Sequence, residues 1–152
     1  MKLNPGDRVG YQGLDYQVEA ILGYALADRV LSLVRMVGPG QVRFLEPPTS
    51  DAADRVLVLT EIQGLDITTP PPATIYHHGE SYLLKISGVA KVTTAAGSGP
   101  VPGFCTLWRY RAAGGRFLQI EEWPDQVRML AGASAHVDML EIRSATRKND
   151  TV

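Results

Sequence analysis

The sequence predicts an all-β chain, an antiparallel β-sandwich or distorted barrel of about ten strands. Three observations carry that expectation. Glycine (15) and proline (10) punctuate the chain from end to end. The runs between them are short and rich in Val, Ile, Leu, Tyr and Phe, which favour pleated, half-buried strands. The pattern also recurs within the chain, as though one unit of about four strands had been written twice.

Taken in order, the first candidate strand is Arg8–Gln12, after the turn-forming Asn4-Pro5-Gly6-Asp7. Tyr16–Tyr24, Val30–Met36, Val42–Glu46 and Val56–Glu61 follow. The second part of the chain supplies Thr74–His78, Tyr82–Thr93, Phe104–Arg111, Arg116–Trp123, Val127–Ala131 and Val137–Arg143. Gly114-Gly115 is a hairpin signal. Gly88, inside the long Tyr82–Thr93 run, predicts a bulge that bends it. The stretch Ala95–Gly103 reads as a flexible hairpin loop, since it lacks the Gly-Lys-Ser/Thr ending of a phosphate-binding loop. Residues 1–144 then form a single domain, and 145–152 a disordered polar tail.

One segment has two readings. Leu26, Val30, Leu33, Val34 and Val37 recur at helical spacing, while the same stretch is also β-branched. Self-comparison decides between them. Gly13-x-x-Tyr16 matches Gly79-x-x-Tyr82 at an offset of 66. Further on, Gly38, Val42, Phe44 and Glu46 fall on Gly114, Leu118, Ile120 and Glu122 at an offset of 76. Leu31–Met36 then falls inside the aromatic and β-branched run "FCTLWRYRA", so Val30–Met36 is assigned as a strand. The two copies span residues 5–47 and 71–123.

Composition narrows the function. The 15 basic and 16 acidic residues are interspersed, which argues against a nucleic-acid partner and against a polybasic membrane-surface patch. No run approaches the length of a membrane span, so direct membrane insertion is not expected. Cys105 is the only cysteine, which rules out an internal disulfide and argues against a cysteine zinc site. The N-terminus has no apolar signal core, and the expected location is the cytoplasm. No cofactor is expected.

The candidate sites each have a bland reading beside a sharp one. His77, His78 and Glu80 flank Gly79, but adjacent strand residues point to opposite faces. His77 and His78 therefore share one metal only across a bulge or turn, and a third ligand would have to come from elsewhere, with His136 the one other histidine. The bland reading is a strand end entering a tight turn. Glu121, Glu122 and Asp125 surround Trp123-Pro124, and a carboxylate pair can serve acid–base chemistry. Glu121 and Glu122 diverge on a strand, however, and Glu122 matches Glu46, which favours a structural role with Arg109 or Arg111 across the strand pair. Trp108 and Tyr110 share a face with Phe104 and read as core. The sharper alternative is a binding wall in which Trp108, Tyr110 and Trp123 join Glu46 and Glu122 around a cationic ligand. Cys105 lies on the opposite face, with no histidine placed to activate it.

The segments "LNPGDRVGYQGLDYQVEAILGY", "VRFLEP", "YHHGESYLLKISGVAKV" and "GGRFLQIEEWPDQVRMLAGASAHVDMLEI" together resemble the bacterial family of domain of unknown function 4178 (DUF4178). The resemblance spans Leu3–Arg143 and is most specific from Gly115 to Gly132. It implies no defined activity. It does imply a setting, because members are encoded beside small membrane proteins, polyamine-synthase-like proteins and phage-shock-like components. The leading expectation is thus a non-catalytic interaction or accessory module of an envelope or membrane-stress system. Its partner would be a protein, such as a small membrane protein, and the chain itself a monomer or an edge-strand homodimer. The alternatives are a small-ligand-binding β-barrel, with a polyamine as the type of ligand, and a metal-dependent enzyme using His77 or His78.

Overall fold

The computed structural model describes residues 1–50, 52–63, 67–95 and 103–145. Among them run eleven strands: β1 Arg8–Tyr11, β2 Leu14–Ala25, β3 Val30–Gly38, β4 Gln41–Glu46, β5 Arg55–Ile62, β6 Thr74–His77, β7 Glu80–Ala95, β8 Gly103–Ala112, β9 Arg116–Glu122, β10 Val127–His136 and β11 Leu140–Arg143. They pair antiparallel in the order β11-β1-β2-β3-β4-β5-β10-β9-β8-β7-β6. The far half of β2 also pairs with β7, from Ile21↔Ala95 to Ala25↔Lys91. That pairing closes the eight strands β2, β3, β4, β5, β10, β9, β8 and β7 into a barrel, with β1, β11 and β6 as flanks. Closure leaves no strand edge in the barrel wall, which decides the sandwich-or-barrel alternative. The expected tail beyond Ala145 and most of the Ala95–Gly103 loop lie outside the described residues.

The two halves follow the same course. Gln12-Gly13 and His78-Gly79 each close a two-residue hairpin with both backbone φ angles positive, 51° and 77° in the first and 49° and 77° in the second. Such turns match the twist of the strands they join. Gln12 therefore belongs to the turn and not to the first strand. β2 carries a register shift between Val18 and Ala20, and β7 one between Leu84 and Ile86. The bulge in β7 thus lies at Lys85 and not at Gly88, which pairs regularly with Leu107. Beyond the bulges run matching rows across the wall, Ala20–Arg35–Phe44–Leu59 and Ile86–Arg109–Gln119–Leu130.

Those rows revise one match made on sequence. Phe44 corresponds to Gln119, so Glu46 corresponds to Glu121 and not to Glu122. The reason is turn length. Gly38↔Gln41 closes over Pro39-Gly40, whereas Ala112↔Arg116 closes over three residues, Ala113-Gly114-Gly115. Alignment on the glycines misplaces everything after the longer turn. At the C-terminal end, the expected Val137–Arg143 strand divides into a 3₁₀ turn, Val137–Met139, and β11, while β10 extends to His136.

Three apolar clusters follow from this arrangement. One fills the barrel with Leu22, Tyr24, Leu33, Phe44, Leu57, Leu59, Ala90, Val92, Cys105, Leu107 and Leu130. The other two lie outside the wall. Val9, Tyr16, Val18, Val34, Met36, Leu45 and Val58 pack beneath β1, β11 and Leu3. Tyr82, Trp108, Tyr110, Leu118, Ile120 and Met129 pack beneath β6. Wall strands buried on both faces explain why so many runs are apolar without strict alternation. Where β5 and β10 join the halves, a Cβ on Gly132 would lie 1.8 Å from the Val58 carbonyl oxygen, so only glycine permits that approach.

Candidate functional site

The barrel interior holds a charged network among its apolar side chains. β9 alternates Phe117, Gln119 and Glu121 inward with Leu118, Ile120 and Glu122 outward. Glu121 is fully buried. Its carboxylate accepts from Tyr24 Oη at 2.9 Å, Gln119 Nε2 at 2.7 Å, Trp123 Nε1 at 2.9 Å and Arg128 Nε at 2.7 Å. Arg128 also donates to Tyr24 Oη at 3.1 Å, lies 5.0 Å over the Phe44 ring and reaches Glu61 at 3.8 Å. Arg109, on β8, grips the Gln119 amide oxygen with two N–H groups, at 2.9 and 2.6 Å. Its third nitrogen contacts Glu46 Oε2 at 2.5 Å, an ion pair without the alignment of a hydrogen bond.

The electrostatics agree with this geometry. Burial, and then the Glu121 charge, hold the Tyr24 phenol well above its ordinary pKa. For Arg128, burial opposes the charge, but Glu121 and Tyr24 outweigh it and the guanidinium is held still more firmly protonated. Four donors fill the lone-pair sites of the Glu121 carboxylate. A carboxylate so occupied is a cross-link between β2, β9 and β10 and has no site free for substrate.

The sequence-predicted binding residues do not meet at one place. Glu46 is inside, paired with Arg109. Glu122 faces outward and accepts from the Thr69 hydroxyl. Trp123 spends its indole N–H on Glu121. Trp108 and Tyr110 are buried in the outer cluster, and Tyr110 Oη donates to the Pro72 carbonyl at 2.8 Å. Phe104, on their face of β8, is exposed. The expected Arg109 and Arg111 partnership with Glu122 is replaced as well. Arg109 points inward, and Arg111 lies 5.7 Å over the Phe117 ring. Cys105 faces into the barrel, where burial pushes its thiol up to about 12.

The histidines also differ from expectation in one respect. Because His78 sits in the turn, its ring meets His77 edge-on at 4.1 Å and does not diverge from it. Burial, then the His78 charge, lower the pKa of His77. His136 has other partners, Asp54 at 3.5 Å and Asp138 at 3.3 Å. Among the described residues no three His, Cys, Asp or Glu side chains converge as a metal site would need.

What sequence reasoning missed is on the outside. The sheet order ends at β6, whose second edge has no strand partner among the described residues. Beside it runs an apolar groove of about 510 Å³ lined by Ile67, Pro71, Pro72, Ile75, Ile120 and Met129, within the size range of ligand-binding clefts. Tyr76 stands 80% exposed at its rim. The available signal was the short run "TIYH" after a proline cluster, which marks an edge strand.

The model of the family described as "Domain of unknown function (DUF4178)" matches residues 4–136, and the chain belongs to that family. No curated protein and no solved structure matches the chain.

Proposed function

We propose that this DUF4178 domain is a non-catalytic interaction module, an accessory part of a bacterial envelope or membrane-stress assembly that works from the cytoplasm. The observation that carries the reading is a division of labour. The interior charges Glu46, Arg109, Glu121 and Arg128 are spent on one another, while at β6 an apolar groove and a strand edge with no strand partner among the described residues face outward. Groups committed to internal pairs stiffen a scaffold, and open edges beside apolar grooves are where proteins accept other chains. The same reading takes the two halves as copies of one unit, a view supported by their matching turns and bulges.

The test is recovery of a partner from native cells by cross-linking to the full chain, followed by titration of the two purified proteins. Saturable binding at defined stoichiometry is expected. Turnover of a metabolite by the purified chain, with no partner bound, would sink the proposal. A cationic-ligand reading is less well supported, because its carboxylates already have arginine or threonine partners. Titration calorimetry with spermidine is expected to show no saturable heat.

A further inference from the structure

Resting on the interaction-module reading, we infer that the edge of β6, which has no strand partner among the described residues, receives an extended segment of a partner protein. The segment pairs antiparallel and sets alternate aliphatic side chains into the groove over Ile120 and Met129. The chain itself displays the arrangement on its other flank. β1 corresponds to β6, and its outer edge is taken by β11, antiparallel, with Gly10↔Glu141 and Arg8↔Arg143 in register. Leu140, the first residue of β11, and Val137, in the 3₁₀ turn before it, pack on the cluster containing Leu45 and Val58. Leu45 and Val58 are direct partners across β4 and β5, as Ile120 and Met129 are across β9 and β10. Val34 and Trp108 extend the two rows on β3 and β8. One flank is therefore covered by a paired strand and the turn that leads into it, and the matching place on the other is a groove.

Backbone geometry at β6 fits this occupant. In a two-residue hairpin the residues flanking the turn exchange hydrogen bonds, and the alternation continues along the strand. His77 and Ile75 therefore direct their N–H and C=O groups to β7, as the Leu84 N–H to Ala73 carbonyl bond confirms at the next step. Thr74 and Tyr76 direct theirs outward, as Arg8 and Gly10 do toward β11. β6 carries none of the usual protections of an exposed edge, having no proline, lysine or bulge. The existing β1–β11 pairing thus gives the direction of a strand that would extend the sheet at its other end.

The experiment uses the intact chain and a synthetic peptide of its own residues 135–143, AHVDMLEIR, as the strand probe. Saturable NMR shift changes are expected at the Thr74 and Tyr76 amides and the Met129 methyl. Binding should weaken about tenfold or more in Tyr76→Pro, which removes one outward N–H, and in a peptide carrying Asp in place of Leu140 and Ile142, which share one strand face. N-methylation of alternate peptide amides tests strand pairing without altering the protein. Equal binding of the methylated peptide would overturn the inference, as would shifts confined to β1 and β11. Sedimentation showing a dimer that Tyr76→Pro abolishes would also overturn it, in favour of a second copy. A purified partner that binds native chain and Tyr76→Pro equally would remove the edge while leaving the module reading intact.

Discussion

Glu46 and Glu121 stand at the same point of the barrel wall, one in each half, and do different work. Glu46 ends β4 with one partner, Arg109, and its side chain is 20% exposed. Glu121, on β9, is sealed from water and joins four donors from three strands and the Trp123 segment. The difference comes from what surrounds each. The row that holds Phe44 in the first half holds Gln119 in the second, so the second half has polar groups to gather and the first has an aromatic ring. That ring is not idle, because Arg128 lies across it. Equivalent backbone positions in a barrel thus acquire unequal energetic weight through the side chains one row away.

The comparison can be broken most forcefully at Glu121. Glu121→Ala strands the Arg128 guanidinium in the barrel, and a loss of about 3–5 kcal/mol is expected from urea unfolding, as for other broken buried ion pairs. Glu46→Ala leaves Arg109 held by Gln119, so the loss should be smaller, about 1–2 kcal/mol. Equal losses at the two glutamates would refute the asymmetry. Tyr24→Phe removes one donor to Glu121 and should cost about 1 kcal/mol at neutral pH.

The alkaline limb sharpens the same contrast. Tyr24 and Cys105 both have pKa values raised by burial and by Glu121. A raised value in the folded state means stability that is whole below the unfolded pKa and lost as pH rises toward the folded one. For Cys105 that window opens near pH 8.5, and for Tyr24 near pH 10. Melting temperatures should therefore fall above about pH 9, and the fall above about pH 10 should be shallower in Tyr24→Phe, where Cys105 and Tyr110 still contribute. The smallest effect is expected on the open flank. Tyr76→Lys, at an exposed edge position, should change stability by less than about 0.5 kcal/mol.

Much of the fold was legible in the chain. A tight turn at Gly79 was legible, and one at Gly13 through its match to Gly79, although Gln12 and His78 were both read as strand ends. Val30–Met36 was legible as a strand only through its counterpart in the second half. The candidate site was far less legible. The aromatic and acidic residues were grouped as one wall, whereas they belong to the barrel interior, the outer cluster and a side-chain bond to Thr69. A strand with both faces buried has no polar side to betray its orientation, and "FLQIEEW" conceals Gln119 and Glu121 facing inward between Leu118 and Ile120 facing out. The final strand was legible, but its start was placed three residues early because Val137–Met139 turns within an otherwise strand-like run.

The amino-acid order by itself determined the all-β class, the turns and the approximate strand positions, because side-chain period, glycine and proline act over a few residues. Tertiary structure alone decided the rest. The seams β2–β7 and β5–β10 join residues about seventy apart, and no local propensity encodes that closure. Which glutamate became the buried hub followed from the side chains one row away, Gln119 in the second half against Phe44 in the first. Which edge β11 pairs with, that of β1 and not that of β6, was likewise decided by the tertiary structure.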